Sequence, residues 1–216
     1  MSCRRPASLV ALMLSATAAL TLVACGSNEG SGGNGKTAEA DLGSPALSTP
    51  SATPESDRPR IHLPADLSYT FEWPRTGDTD QDAVLADVEQ SIKAVDLAIV
   101  NQDPLDKAYL RYHVGEAAAA TQKFIQAYVD ENARVTGAYR FYAAVVDVRG
   151  ESHASFTYCE DQGKAYDMYL NPKKIDKTAV TKNSYVLYST KLSKNADGVW
   201  VVEQMSSERG SESCQP

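Results

Sequence analysis

Apolar and polar residues change rhythm along the chain, and each change predicts a different kind of structure. Residues 7–24, ASLVALMLSATAALTLVA, are apolar or small and carry no charge. The next stretch has only Leu42 and Leu47 as large apolar residues, with prolines at 45, 50, 54 and 59, a composition too poor in buriable surface to offset the entropy of ordering. Order is predicted from Leu67. LSYTFEW alternates Leu67, Tyr69, Phe71 and Trp73 with Ser68, Thr70 and Glu72, the pattern of a half-buried strand, and Pro74 ends it. In TDQDAVLADVEQSIKAVDLAIVNQ the period lengthens: Val84, Val88, Ile92, Val95 and Ile99 mark one helical face, with Asp80 or Thr79 as N-cap and Glu89–Lys93 as a surface pair. A second helix is expected from Asp103-Pro104 through Tyr109, Leu110 and Tyr112. A third runs from Gly115 to about Asn132, its face carrying Ala117, Ala120, Phe124 and Val129.

After Gly137 the period falls to two. Residues 138–149, 153–159, 185–192 and 199–205 read as strands rich in aromatic and β-branched residues. Arg149-Gly150-Glu151 turns the first pair, and Asn195-Ala196-Asp197-Gly198 connects the last, its Asp-Gly step supplying a positive-φ position. Helices first and antiparallel strands afterwards predict an α+β domain, with N-terminal helices packed on a curved antiparallel sheet, over residues 61–216.

The N-terminus reads as an address. Arg4 and Arg5 precede the apolar run, the profile of an export signal over residues 1–24. Its end, LVAC from Leu22 to Cys25, resembles the lipobox of bacterial lipoproteins, which implies acylation of Cys25, attachment to the bilayer, and residence on the extracytoplasmic face of the cell membrane. The competing reading is an uncleaved anchor, for which eighteen residues rich in Ala, Ser and Thr are marginal. Residues 25–60 then form the lipidated cysteine and its tether, with an r.m.s. reach of about 30–35 Å as a flexible coil.

Within that tether GSGGNGKT, from Gly30 to Thr37, fits the phosphate-loop pattern through Lys36 and the dinucleotide pattern through Gly30, Gly32 and Gly35. Such a loop works only between a strand and a helix, and neither is predicted beside it. No nucleotide is expected at 30–37. Removing residues 1–24 takes away two arginines and no acid, so the net charge of −7 becomes −9, which argues against nucleic acid and against a basic membrane-binding face. Cys3 leaves with the signal and Cys25 is claimed by lipid, so Cys159 and Cys214 remain; outside the cytoplasm two such cysteines are expected to pair. Two free thiols, one a nucleophile, are the alternative.

YLRYHVGEAAAATQKFI at 109–125, VTGAYRFYAAVV at 135–146, SFTYCEDQGKAYD at 155–167 and VWVVEQMSSERGSESC at 199–214, behind a lipobox and a low-complexity tether, resemble the NTF2-like (SnoaL-like, cystatin-like cone) lipoproteins of actinobacteria, of Streptomyces type. The resemblance implies a cone-shaped domain on the cell envelope. The wider superfamily includes enzymes that work with an Asp or His inside the cone, and also binding and assembly modules.

Candidate chemistry is sparse. Asp147 shares a strand face with Phe141, Ala143 and Val145, which makes it a candidate to point into the cone, with Tyr139 and Phe141 as further pocket candidates; its place two residues from a turn favours water instead. His113 and His153 fall at element ends, where polar side chains meet water, and His62 falls in the linker. Glu160, Asp161 and Asp167 lack metal-loop spacing and read as solvated turn acids. No metal or cofactor is expected. Among the eleven tyrosines, Tyr139, Tyr142, Tyr158, Tyr166, Tyr169, Tyr185 and Tyr188 fall in the sheet region, where they suit strands or offer rings to a ligand or partner. The favoured expectation is a non-catalytic binding or interaction module of the envelope, meeting a protein or small ligand. The alternatives are a small-molecule or lipid carrier, then an isomerase- or dehydratase-type enzyme.

Overall fold

Helix α1, Thr79–Val100, begins where Asp78 turns its carboxylate back on the amides of Asp80 and Gln81, so the cap sits one residue before the expected pair. The computed structural model describes residues 59–216. The leader, Cys25 and the glycine stretch with Lys36 lie outside the described residues. The second helical segment is shorter than expected. Asp103-Pro104 forms a turn, and Asp106 caps a four-residue α2, Lys107–Leu110. Helix α3 spans Gly115–Asp130.

The sheet is built from β1 (Leu67–Phe71), β2 (Ala133–Arg149), β3 (His153–Leu170), β4 (Lys173–Asp176), β5 (Tyr185–Lys194) and β6 (Trp200–Arg209) in the order β1-β2-β3-β5-β6, with β4 added to the far end of β3. Every pair is antiparallel except β1 with β2, so the sheet is mixed where an antiparallel one was expected. Parallel pairing is possible here because the whole helical layer intervenes between β1 and β2 in the sequence. The α+β layering itself is as the periodicities predicted.

Two strands are longer than their patterns suggested. β2 passes through Gly137, which read as a break. Its φ is +98°, and an added Cβ would stand 2.1 Å from the carbonyl oxygen of Lys164, so glycine permits the two longest strands to approach. β3 continues through Glu160, Asp161 and Asp167 to Leu170. Those acids are strand residues, which corrects the turn expected there.

A bulge decides which way β2 faces. Ala143 has a φ of +51°, and the pairing with β3 slips between Tyr142 and Val145. Before it, Tyr139 and Phe141 face the helices; after it, Ala144, Val146 and Val148 take over that face and Asp147 points outward.

Two apolar clusters hold the layers together. Val84, Val88, Phe141, Phe156, Trp200 and Val202 join α1 to the narrow end of the sheet, and Trp73 packs edge-on against Phe156 at 5.2 Å between ring centroids. Ala98, Ile99, Tyr109, Tyr112, Ile125 and Val201 join the three helices to the start of β6. The C-terminus is fastened by a disulfide between Cys159 and Cys214, whose Cα atoms lie 5.4 Å apart, as the cysteine count predicted. Tyr142 donates a hydrogen bond to the Cys214 carbonyl from the outer face.

Candidate functional site

Where the sheet curls away from the helices it encloses a cavity of about 600 Å³. Its floor is a row of rings on β2, β3 and β5, continued beyond the lining residues by Tyr69 of β1. Tyr69 of β1 lies 5.9 Å from Tyr139, Tyr139 lies 6.1 Å from Phe141, Phe141 lies 6.1 Å from Tyr158, and Tyr158 stacks on Tyr188 of β5 at 5.1 Å. The roof is Ser91, Ile92, Val95 and Asp96 of α1 with Thr121, Phe124 and Tyr128 of α3. Tyr166, Asp167, Asp176, Asn183 and Arg209 surround the opening.

Two buried carboxylates border this space. Asp96, 9% exposed, lies one helical turn beyond Ile92, and its Oδ2 accepts a 2.5 Å hydrogen bond from the Tyr69 hydroxyl. Burial pushes its pKa up to about 7 against that stabilising bond, and the charge of Glu160 adds to the rise. Glu160, 7% exposed, follows Tyr158 on the inner face of β3; Gln162 donates to its Oε1 at 3.1 Å. Burial raises its pKa too, while hydrogen bonding to Gln162 and Tyr188 pulls the other way.

Phenol groups gather round the pair. Burial raises the pKa of Tyr69, Tyr139 and Tyr158, and the charges of Asp96 and Glu160 add to each rise. The Tyr158 hydroxyl has no hydrogen-bond partner among the described residues, and neither has that of Tyr139. Tyr128 closes the side by donating to Asp167 Oδ1 at 3.0 Å.

His113 departs from its expected place. It is 4% exposed and borders the cavity, with Nε2 at 2.7 Å from Ser91 Oγ and Nδ1 at 2.9 Å from Thr121 Oγ1. Burial pushes its pKa down to about 4, so the imidazole is neutral near pH 7. Both ring nitrogens are used in joining α1 to α3. His153 stays exposed, against Ser152 Oγ.

Of the three residues predicted for the pocket, Tyr139 and Phe141 line the cavity and Asp147 does not. The bulge at Ala143 turns Asp147 to the outer face, where its Oδ2 pairs with Arg149 at 2.8 Å. Asp96 and Tyr69 were missed as site residues, and Glu160 was assigned to solvent. The available signals were an acid inside the apolar run Val95–Val100 and the inward alternation Phe156, Tyr158, Glu160. Four carboxylates and one guanidinium border the cavity. The described residues contain no group of three or more side chains placed to hold a metal ion.

No family profile matches the sequence, and no curated protein matches it. Solved structures do match in part. A ketosteroid isomerase-like protein from Erwinia carotovora atroseptica is 9% identical with a TM-score of 0.44, covering 62% of this chain and 98% of its own. A candidate scytalone dehydratase from Novosphingobium aromaticivorans is 14% identical with a TM-score of 0.42, covering 61% and 88%. The intermembrane space region of the chloroplast protein ARC6 is 14% identical with a TM-score of 0.40, covering 63% and 99%. At such values no activity transfers from these proteins to this chain.

Proposed function

We propose that this protein is a ligand-binding lipoprotein of the outer membrane face, anchored through acylated Cys25 and taking a small molecule into the cone. The observation that carries the ligand reading is the cavity itself: enclosed by both layers, ring-floored, with polar groups converging at its depth. Export and anchoring rest on the basic, apolar and LVAC segments before residue 26. A disulfide at Cys159–Cys214 is in keeping with an oxidising compartment.

Native mass spectrometry on the protein purified from its own membranes tests this reading. A discrete retained mass is expected. A bare chain with a co-purifying protein would overturn it in favour of an interaction module.

One observation favours a second reading. Asp96 borders the cavity with a pKa pushed up to about 7, where a carboxyl group both gives and takes a proton near neutrality. On that reading the domain is an isomerase- or dehydratase-type enzyme with Asp96 as the proton carrier. Turnover of the retained molecule by the wild type and none by Asp96→Asn would establish it; unchanged ligand after prolonged incubation would leave a binding protein.

A further inference from the structure

We propose that the molecule bound in the cone is an organic ammonium ion, its charge held between Asp96 and Glu160 and its apolar body against Ile92, Val95 and Phe124. The inference rests on the reading of the cone as a ligand pocket and names the chemical class of its occupant.

Charge balance is the first ground. Asp96 and Glu160 lie deep, and Asp167 and Asp176 stand at the opening. Arg209 is the one Lys or Arg side chain among the residues bordering the cavity, and it is exposed and spends its guanidinium on Gln162 Oε1 and the Asn183 carbonyl, both at 2.7 Å. His113 does not supply a charge, because both nitrogens are committed to Ser91 and Thr121 and the ring is neutral. A buried carboxylate without a cationic partner is costly, so the empty site holds its acids toward the protonated form. A cation that enters restores the ionised pair and gains an attraction strengthened by the low dielectric of the enclosure. An anion finds no cation at the depth of the site to hold it.

Hydrogen-bond supply is the second ground. Tyr158 is 4% exposed and, like Tyr139, borders the cavity, and neither hydroxyl has a partner among the described residues. Phenol oxygens accept from N–H, so an ammonium group with two or three protons satisfies acceptors that an ether or a hydrocarbon would leave unmet. The described residues offer no ligand set for a metal cation, whereas a 600 Å³ space with an apolar roof suits an amine bearing a hydrocarbon or ring body.

Calorimetric titration of the full-length protein with three probes of equal size, 3-phenylpropylammonium, 3-phenylpropanol and 3-phenylpropionate, tests the assignment. At pH 7.5 the ammonium is expected to bind at least about ten-fold more tightly than the alcohol, and the carboxylate not at all. Its advantage should shrink as the pH falls to 5 and the acids protonate. The double variant Asp96→Asn, Glu160→Gln should lose the preference and keep the alcohol; if it does not fold, the pH profile of the wild type decides. Equal or tighter binding of the alcohol at pH 7.5 overturns the ammonium assignment and leaves the pocket reading standing. Absence of binding by all three at millimolar concentration overturns both.

Discussion

Asp96 makes the structure testable without any ligand. Its carboxyl is buried beside Tyr69 and Glu160 and titrates at about 7, against an ordinary value of 3.8 that the unfolded chain should recover. Between those two values the folded state holds a proton that the unfolded state does not. Unfolding free energy must therefore fall as pH rises across this window: stability is full below about pH 4, declines through pH 7, and levels off above it. The drop amounts to about 1.4 kcal/mol per pH unit, or about 4 kcal/mol in all. Asp96→Asn removes the titration while its amide oxygen still accepts the proton of Tyr69. The variant should match the wild type near pH 4 and exceed it by about 4 kcal/mol at pH 8, a rise in Tm of roughly 10 °C for a domain of this size. Urea titrations of both proteins at intervals from pH 4 to 8 measure the difference, in which the parallel titration of Glu160 largely cancels. A difference that stays flat across the range, or a variant less stable at pH 8, would refute the placement of Asp96 in an enclosed acidic site.

Three further predictions address the frame and the anchor. Cys159→Ser and Cys214→Ser should each cost about 4 kcal/mol on the chain-entropy account of a closed loop spanning 55 residues, and together no more than either alone; additive losses in denaturant titrations would contradict a shared bond. Gly137→Ala should prevent soluble expression or cost more than about 3 kcal/mol, because its methyl group would collide with the Lys164 backbone at a positive φ; near-wild-type unfolding would show that β2 and β3 do not approach as described. Cys25→Ala should abolish lipid labelling and accumulate uncleaved precursor, and normal processing would remove the lipobox from the proposal.

Helix α1 and the hairpins were legible because their patterns are local. Five apolar residues repeat at helical spacing from Val84, and the Gly150 and Asn195–Gly198 turns carry residues whose backbone requirements are visible one at a time. The cavity was not, because each of its parts violates a local rule for a reason supplied by a distant segment. Gly137 reads as a strand end until Lys164 is known to lie against it. Glu160 reads as solvated until α1 is laid over β3, and Asp96 reads as a surface charge until the Tyr69 hydroxyl reaches it from a strand that precedes the helix. The register of β2 shows the same dependence most sharply. Counting alternate residues from Phe141 puts Asp147 in the cone, and one residue in the left-handed region at Ala143 reverses the count, sending Asp147 to Arg149 and the solvent. Alanine gives no warning of a bulge, since its cost there is met by the sheet's need to bend around the cavity. The polar residues that deviate from the pattern of a folded core are thus the ones the fold has gathered into its interior, which is why the acids of α1 and β3, and not the more conspicuous Asp147, mark the proposed ligand site.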